Sequence, residues 1–323
     1  MNIDYVERHF TDLHTGDADC FEAMASVVLT YQREHNSVYR RWSHAATYMP
    51  VAAFKYAPVT CFPPEEADIV FKSSGTGSGR SSLHYVRRLS VYERAVRVHF
   101  EAVFGRGPFT LVAHLPNYLD TGRNSSLVYM VDCLIRAYGD AKSGFFLNDT
   151  ALLEEAIQHC HGERSPLLLF GAAFGLLHLV EKRTWKLPVG ARVIETGGMK
   201  TFRKEICRNE LHRRLADGFA VPKSQVWSEY GMCELMSQAW AQGSSVYFPP
   251  PWMHFRVVNH LDSTDEMPEG RPGTLAVLDL ANMHSVSAIL TEDVAVKRGA
   301  GFEILGRVSQ SDLRGCNFLV DGT

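Results

Sequence analysis

Several features that would place a chain of this length in a specialised class are missing from the sequence. Its 323 residues contain no run of about 18 apolar residues, so no membrane-spanning helix is expected. The N-terminal residues lack the apolar stretch of a secretory signal, which predicts a cytoplasmic protein. No block of basic residues stands out and the formal net charge is -3, so binding to nucleic acid is not expected.

The cysteine pattern gives no sign of a metal site. The seven cysteines are widely spaced and none forms a CxxC pair, which argues against a structural zinc site. Without a secretory signal, most of them are expected to be reduced thiols that fill apolar space. Cys316 differs because Arg307 and Arg314 lie close in sequence, and fixed cations favour a reactive thiolate. A buried structural thiol is the alternative at this position.

The pattern of apolar residues predicts an α/β fold in three parts. Short apolar runs alternate with amphipathic stretches between residues 68 and 242, which indicates a parallel sheet flanked by helices. Residues 1–67 are predicted as a helical segment and linker, and residues 243–323 as a β-rich subdomain. The predicted strands of the core cover 69–71, 109–113, 144–147, 167–170, 192–194 and 225–227. The predicted helices cover 20–35, 90–104, 125–138, 150–160, 172–182 and 201–217. In the β-rich part, strands are predicted at 255–258, 274–280, 286–290, 294–296 and 302–305.

A loop dense in Gly, Ser and Thr follows the first strand of the core. Glycine lets a backbone approach an anion closely, and successive N–H groups and hydroxyls can cradle phosphate oxygens. We therefore predict a phosphate-binding loop, although a flexible surface loop explains the composition equally well. The predicted binding residues are Ser73, Ser74, Gly75, Thr76, Gly77, Ser78 and Arg80. The loop is not a Walker A motif, because neither GKS nor GKT follows it.

Two further segments follow predicted strands of the core. Gly197 and Gly198 would let a flat ring or a phosphate lie against the backbone, although a simple strand–helix turn explains them too. Tyr230 offers an aromatic face, Gly231 follows it, and Glu234 is a hard oxygen ligand suited to Mg²⁺. The alternative for the second segment is a solvated Glu and a Tyr at the edge of the core.

The β-rich part contributes two candidate side chains. Asp293, in a Thr-Glu-Asp run, can present its carboxylate to ribose hydroxyls. Arg307, in the Gly-Arg pair that follows, is a fixed cation.

Taken in order, these segments resemble the motifs of the adenylate-forming superfamily. The loop is similar to its phosphate-binding motif, and residues 230–234 are similar to its Tyr-Gly-x-Thr-Glu motif. Asp293 and Gly306-Arg307 are similar to its ribose-binding Asp and the Gly-Arg pair beyond it. The match is closest to acyl-protein synthetases of the LuxE type, to which the phenylacetate-CoA ligase group is related. The stretches that carry this resemblance are 115–119, 124–132, 195–205, 228–240 and 305–316.

The sequence departs from the superfamily pattern in three ways. The loop reads Gly-Thr-Gly-Ser-Gly over residues 75–79, where Gly-Thr-Thr-Gly is usual, and Cys233 stands where Thr is usual. The mobile C-terminal domain, with its catalytic Lys, is expected to be absent. Lys200 is the catalytic candidate in its place, with Lys72 and Arg80 as the other cations that could stabilise the developing charge.

The resemblance implies an enzyme that uses ATP and Mg²⁺ to activate a carboxylic acid, expected to be fatty, as an acyl-adenylate. Glu234 would hold the metal and act in catalysis, and Cys316 would accept the acyl group as a thioester. Delivery to a partner such as an acyl reductase or an acyl carrier protein would follow. No base is identified, and His84 is one of the histidines that could serve. Three alternatives stay open, which are an acyl- or aryl-CoA ligase, a non-catalytic nucleotide-binding partner and an amide-forming ligase.

Overall fold

The computed structural model describes residues 1–73, 80–116, 124–147, 150–162, 166–197 and 206–307. The helices in chain order are α1 (Ile3–His9), α2 (Ala18–His35), α3 (Ser37–Trp42), α4 (Leu89–Phe104), α5 (Ser126–Tyr138), α6 (Ala151–Gly162), α7 (Ala173–Lys182) and α8 (Arg208–Phe219). The strands are β1 (Met49–Pro50), β2 (Ile69–Lys72), β3 (Leu83–Val86), β4 (Thr110–His114), β5 (Gly144–Phe146), β6 (Leu167–Ala172), β7 (Arg192–Thr196), β8 (Val226–Tyr230), β9 (Ala239–Gln242), β10 (Val246–Tyr247), β11 (Met253–Val258), β12 (Pro272–Asp279), β13 (Ala288–Arg298) and β14 (Gly301–Arg307).

The core is a sheet in the order β5-β4-β6-β7-β8-β9. Neighbouring strands from β5 to β8 run parallel, and β9 pairs antiparallel with β8. Every residue of β4 and of β8 is buried, as expected for parallel strands covered by helices on both faces. The predicted α/β class is therefore confirmed, with the carboxyl ends of β4, β6, β7 and β8 at one edge.

Alternate residues of these strands pack into two separate apolar layers. Leu168, Ile194 and Trp227 lie in one cluster with side chains of α4 and α5. Val193 and Val226 lie in the other cluster, with side chains of α6, α7 and α8. The alternation follows from the two-residue period of a strand, and it decides which helix each polar residue at a strand end will meet.

The second large sheet has the order β10-β14-β13-β12-β11, with its strands antiparallel, and β1 pairs parallel with β13. The runs predicted at 286–290 and 294–296 form one strand, β13, whose pairing with β14 shifts between Val294 and Ala295. The amide of Gln32 in α2 donates to the carbonyls of Asn282 and Met283, so the first helices attach to this part of the molecule. The boundaries after residues 67 and 242 stay predictions.

One helix boundary was wrong. The helix predicted at 201–217 begins at Arg208, with Cys207 as its N-cap in extended backbone. Polar residues after the paired glycines extend the helical pattern in sequence, but Cys207 lies outside the helix. The strands β1, β3, β9 and β10 were not predicted, because they are short and lack the alternating helices that marked the parallel strands. None of the described helices is both long and apolar enough to cross a bilayer.

Candidate functional site

The carboxyl ends of β7 and β8 bring two predicted segments together. The strands are parallel neighbours, with Thr196 in register with Glu229, so Gly197 and Tyr230 both follow at the same edge. Gly197 has a φ of +78°, in the left-handed region that favours glycine. No atom of the described residues lies within 4 Å of the position that a Cβ would take there, so the backbone conformation selects the glycine.

Three residues predicted from separate motifs form one hydrogen-bonded cluster. The Tyr230 hydroxyl donates to Asp293 Oδ2 at 2.8 Å, and Arg307 Nε donates to Asp293 Oδ1 at 2.8 Å. Asp293 and Arg307 are register partners on β13 and β14, which explains why the ion pair forms. The Asp293 side chain is 6% exposed, whereas that of Arg307 is 44% exposed. The cluster therefore presents a fixed, oriented carboxylate beside a solvent-facing cation.

The aromatic ring of Tyr230 is packed rather than open. It lies 5.2 Å from the ring of Phe302 and 5.7 Å from that of Tyr247, and the residue is 9% exposed. Burial, together with the nearby Asp293 carboxylate, holds the pKa of Tyr230 well above its usual value. Tyr230 therefore stays a phenol that donates to Asp293. That it borders an adenine stays a prediction.

Glu234 lies beside the hairpin that carries the predicted phosphate-binding loop. Burial raises the pKa of its carboxyl, and a hydrogen bond with Ser82 at the base of β3 opposes the shift. The carbonyl of Glu234 accepts from the Asn282 amide at 2.8 Å, which fixes the segment. A buried carboxyl of this kind ionises more readily when a cation binds next to it. Among the described residues no group of three or more His, Cys, Asp or Glu could hold a metal. A single carboxylate fits Mg²⁺, which is usually held by one or two carboxylates together with substrate phosphates.

The predicted loop connects β2 to β3 in sequence, and these two strands pair antiparallel. The Ser82 amide donates to Ser73 Oγ at 2.8 Å and the Ser73 amide donates to the Ser82 carbonyl at 3.1 Å, so these bonds close the neck of the loop. Arg80 is exposed, with its guanidinium 5.5 Å from the centre of the Tyr56 ring. Their contact with phosphate stays a prediction. Gly231 lies within the described chain, directly after β8. The predicted site residues outside the described part of the chain are Ser74, Gly75, Thr76, Gly77, Ser78, Gly198, Lys200 and Cys316.

His84 is placed as a structural residue. It is 1% exposed, with Nδ1 2.8 Å from the Cys233 carbonyl and Nε2 3.0 Å from Asn282 Oδ1. Burial lowers the pKa of His84 to about 4. The ring is therefore neutral near pH 7 and shielded from solvent, so it ties the Cys233–Glu234 segment to the β-rich part.

The described cysteines fall into two groups. Burial raises the pKa of the thiols of Cys61, Cys133, Cys160 and Cys233, which makes these thiols poor nucleophiles. Cys20 and Cys207 are exposed. The expectation that most cysteines fill apolar space therefore holds for four of the six in the described ranges.

A buried polar network next to the site was not predicted. Glu195, which is fully buried, accepts hydrogen bonds from Arg208 of α8 and from the Ser228 hydroxyl. His212 Nε2 lies 2.7 Å from Ser228 Oγ. Although burial opposes it, the Arg208 guanidinium lowers the pKa of Glu195. The sequence signal was a Glu at the end of an apolar strand, which is rare at a buried position without a partner.

Comparison with known protein families identifies the family of this chain. The acyl-protein synthetase family LuxE matches residues 46–322, and the chain belongs to this family. Comparison with curated protein sequences gives no match.

Solved structures of adenylate-forming enzymes share the fold. A 2-hydroxyisobutyryl-CoA ligase in complex with its acyl-adenylate and CoA superposes with a TM-score of 0.67 at 13% identity, over 92% of this chain and 72% of that one. ATP-bound MatB from Rhodopseudomonas palustris gives 0.56 at 18% identity, over 75% and 48%. The amide bond synthetase McbA from Marinactinospora thermotolerans gives 0.52 at 18% identity, over 78% and 52%. The family and the fold together support an AMP-forming enzyme that activates a carboxylic acid to its acyl-adenylate.

Proposed function

We propose that this chain uses ATP and Mg²⁺ to convert a carboxylic acid, expected to be a fatty acid, into acyl-AMP. It then transfers the acyl group to the thiol of Cys316, for delivery to a partner such as an acyl reductase or an acyl carrier protein. The observation that carries the proposal is the Tyr230–Asp293–Arg307 cluster, in which residues from three separate motifs meet through 2.8 Å hydrogen bonds.

Each described residue has a role that its surroundings support. The Asp293 carboxylate, held by two donors, accepts hydrogen bonds from the ribose hydroxyls. Gly197 leaves the end of β7 free of a side chain, so that a flat base can lie against the backbone. Gly231 is needed at the end of β8 because the Glu229 carboxyl occupies the position that a Cβ would take. Glu234 is the carboxylate that would hold Mg²⁺, which neutralises phosphate charge when it is bound.

The first half-reaction is a displacement at the α-phosphorus. A carboxylate oxygen of the acid forms the new P–O bond, and the bond from the α-phosphorus to the bridging oxygen of pyrophosphate breaks. Negative charge builds on the phosphate oxygens, so positioned N–H groups and cations stabilise the transition state. Arg307 is a described cation whose side chain is open to solvent next to Asp293, and Lys200 is the further candidate from sequence.

In the second half-reaction a thiolate attacks the acyl carbon. A C–S bond forms, the bond from the acyl carbon to the phosphate oxygen breaks, and AMP leaves. The four buried thiols are held protonated, so they are poor acceptors. Cys316 is proposed as the acceptor because of its place near Arg307 and Arg314 in sequence and its match to the family's acceptor position.

The proposal is tested by the intact mass of the protein after incubation with Mg-ATP and a panel of fatty and aryl acids. The expected result is a gain of one acyl group, labile to hydroxylamine, that persists in Cys20→Ser and Cys207→Ser and is lost in Cys316→Ser. These two controls remove the exposed cysteines of the described chain. ATP-dependent acyl-CoA formation without an adduct would move the function to a CoA ligase. ATP binding with no pyrophosphate release would favour a non-catalytic partner.

Replacing Glu234 tests the metal role. Glu234→Ala is expected to lower ATP–pyrophosphate exchange by about 100-fold or more, the usual loss when one stabilising contact is removed from the transition state. Glu155→Ala, which removes an exposed carboxylate from α6, is the control and should leave exchange unchanged. Exchange near the normal rate in Glu234→Ala would reject Glu234 as the metal ligand.

A further inference from the structure

A second glutamate at the strand ends has no role in the mechanism above. Glu229 is the fourth residue of β8 and is 6% exposed, and its Oε2 accepts a hydrogen bond from the hydroxyl of Thr196, the last residue of β7. Thr196 is 5% exposed. The two side chains therefore form a polar pair across the carboxyl ends of two parallel strands.

The pair lies on the apolar face of the sheet that is covered by α4 and α5. Ile194 and Trp227, which precede Thr196 and Glu229 by two residues on each strand, belong to the cluster on that face. Burial and the charge of Glu229 together raise the pKa of Tyr92 in α4, so the Glu229 side chain faces that helix. A carboxyl group has thus been placed at the end of an apolar layer.

The carboxyl also touches the turn that borders the proposed nucleotide site. A Cβ at Gly231 would collide with Glu229 Oε1, so the carboxyl lies directly against the Tyr230–Gly231 turn. On the neighbouring strand, Thr196 is followed at once by Gly197. The pair therefore lies between the apolar layer and the two turns, at the strand ends where ligands bind in open α/β sheets.

No cation in the described ranges forms an ion pair with Glu229, and the charge of Glu195 adds to the effect of burial on the pKa of the Glu229 carboxyl. Burial raises the pKa of Glu229 to about 7. Burying a carboxyl without a cation is costly, and a Gln or Leu would fill the position with less penalty. Perturbed carboxyls of this kind are concentrated at sites that bind or transform a ligand.

From this placement we infer that Glu229, oriented by Thr196, is a specificity-determining residue that accepts a hydrogen bond from the acid substrate. The substrate would then be a carboxylic acid that carries a hydrogen-bond donor, a hydroxyl or an amino group, in addition to its carboxylate. This inference rests on the proposed function, because it assigns the acid that is activated at the same site.

The test is ATP–pyrophosphate exchange with matched sets of acids, using the full chain. Hexanoate is compared with its ω-hydroxy and ω-amino derivatives, and benzoate with its para-hydroxy and para-amino derivatives. A site built to bond a donor rejects the analogue without it strongly, so the preferred donor-bearing acid should exceed its plain partner in kcat/KM by roughly 100-fold or more. The hydroxyl and amino arms show which donor is bound.

Three variants and one control report on the mechanism of selection. Glu229→Leu should bring the ratio of kcat/KM to about one or below, whereas Glu229→Gln, which keeps an acceptor oxygen, should retain part of it. Thr196→Val should lower the ratio less than Glu229→Leu does. Glu210→Gln removes an exposed carboxylate from α8 and should leave the ratio unchanged. Thermal unfolding of each variant shows that it is folded.

The outcomes separate this inference from the proposed function. Exchange with plain acids at the same or higher kcat/KM in the wild type, or an unchanged ratio in Glu229→Leu, would overturn the role of Glu229 and leave acid activation standing. Failure of every acid to support exchange would overturn both, since a site that activates no acid has no determinant of acid choice.

Discussion

Glu195 and Glu229 occupy similar places near the carboxyl ends of neighbouring strands, yet their environments act in opposite directions. Glu195 faces α8, and Arg208 of that helix and Ser228 of β8 donate to it, and its pKa is lowered. Glu229 faces the apolar layer under α4, with Thr196 as its hydrogen-bond donor, and its pKa is raised to about 7. The comparison shows that the helix covering each face decides whether a buried carboxyl is compensated. We interpret the compensated glutamate as structural and the other as functional.

The largest change in stability is expected when the ion pair between Glu195 and Arg208 is broken. Arg208→Met would leave the Glu195 carboxylate buried without its cation, because the Arg208 side chain is only 23% exposed and that of Glu195 is fully buried. Removal of one partner of a buried pair costs about 3–5 kcal/mol. Urea denaturation at pH 8 should therefore show a loss of stability of this size.

The double variant Glu195→Gln/Arg208→Met is the matched control for this prediction. It removes both charges, so it should recover most of the lost stability. If Arg208→Met costs less than about 1 kcal/mol, the ion pair does not compensate Glu195 and the contrast between the two glutamates fails.

A substitution of Glu229, which has no cation to compensate it, is expected to raise the free energy of unfolding rather than lower it. In the folded chain Glu229 keeps its proton up to about pH 7, whereas in the unfolded chain the ordinary value of its pKa is 4.5. The folded state therefore binds more protons between these values, and stability declines as the pH rises through this window. At pH 8 the cost reaches about 3 kcal/mol, because a tenfold difference in proton affinity between the two states corresponds to about 1.4 kcal/mol.

Glu229→Gln should therefore raise the free energy of unfolding at pH 8 by up to about 3 kcal/mol and have little effect below pH 4.5. The difference between variant and wild type is the quantity to measure, by urea denaturation from pH 4 to pH 8. Burial lowers the pKa of His84 and of His99 to about 4, so both proteins lose stability alike as the pH falls below 6.5. A constant difference across this range would show that the pKa of Glu229 is the same in the folded and the unfolded chain, and would contradict the prediction.

The sequence predicts the strands and the cluster of motif residues, but it does not predict which partner compensates each buried glutamate. The apolar runs of β4, β6, β7 and β8 are visible because both faces of these strands are buried, and each predicted run overlaps its strand. The clustering of Tyr230, Asp293 and Arg307 was implied by their motifs. The partner of Glu195, in contrast, follows 13 residues later, on a helix that was predicted to begin at 201 and begins at Arg208. Which face of a strand a residue takes is set by register, and which helix covers that face is set by tertiary structure.

Asp293 is a third buried carboxylate, and its compensation is intermediate between that of Glu195 and that of Glu229. The smallest change in stability is predicted for the variant that removes one of its donors. It is held by Tyr230 and by Arg307, whose side chain is 44% exposed, so the loss of one donor leaves it partly compensated. Tyr230→Phe keeps the ring that packs against Tyr247 and Phe302 and removes only the hydroxyl. Loss of a hydrogen bond to a charged group costs about 1.5–3 kcal/mol, and the remaining ion pair favours the lower end.

Urea denaturation of Tyr230→Phe measures the structural cost, and calorimetric titration with AMP measures the effect on the proposed ribose contact. Because one Asp293 oxygen loses its fixed donor, the carboxylate is less well oriented, and AMP affinity should fall by roughly 10-fold, equivalent to about 1.4 kcal/mol. Tyr56→Phe, at an exposed tyrosine, is the control and should change neither quantity. A stability loss with no change in AMP affinity would make Asp293 a structural carboxylate like Glu195. A loss of AMP affinity would instead show that the buried Asp293 carboxylate binds the ligand.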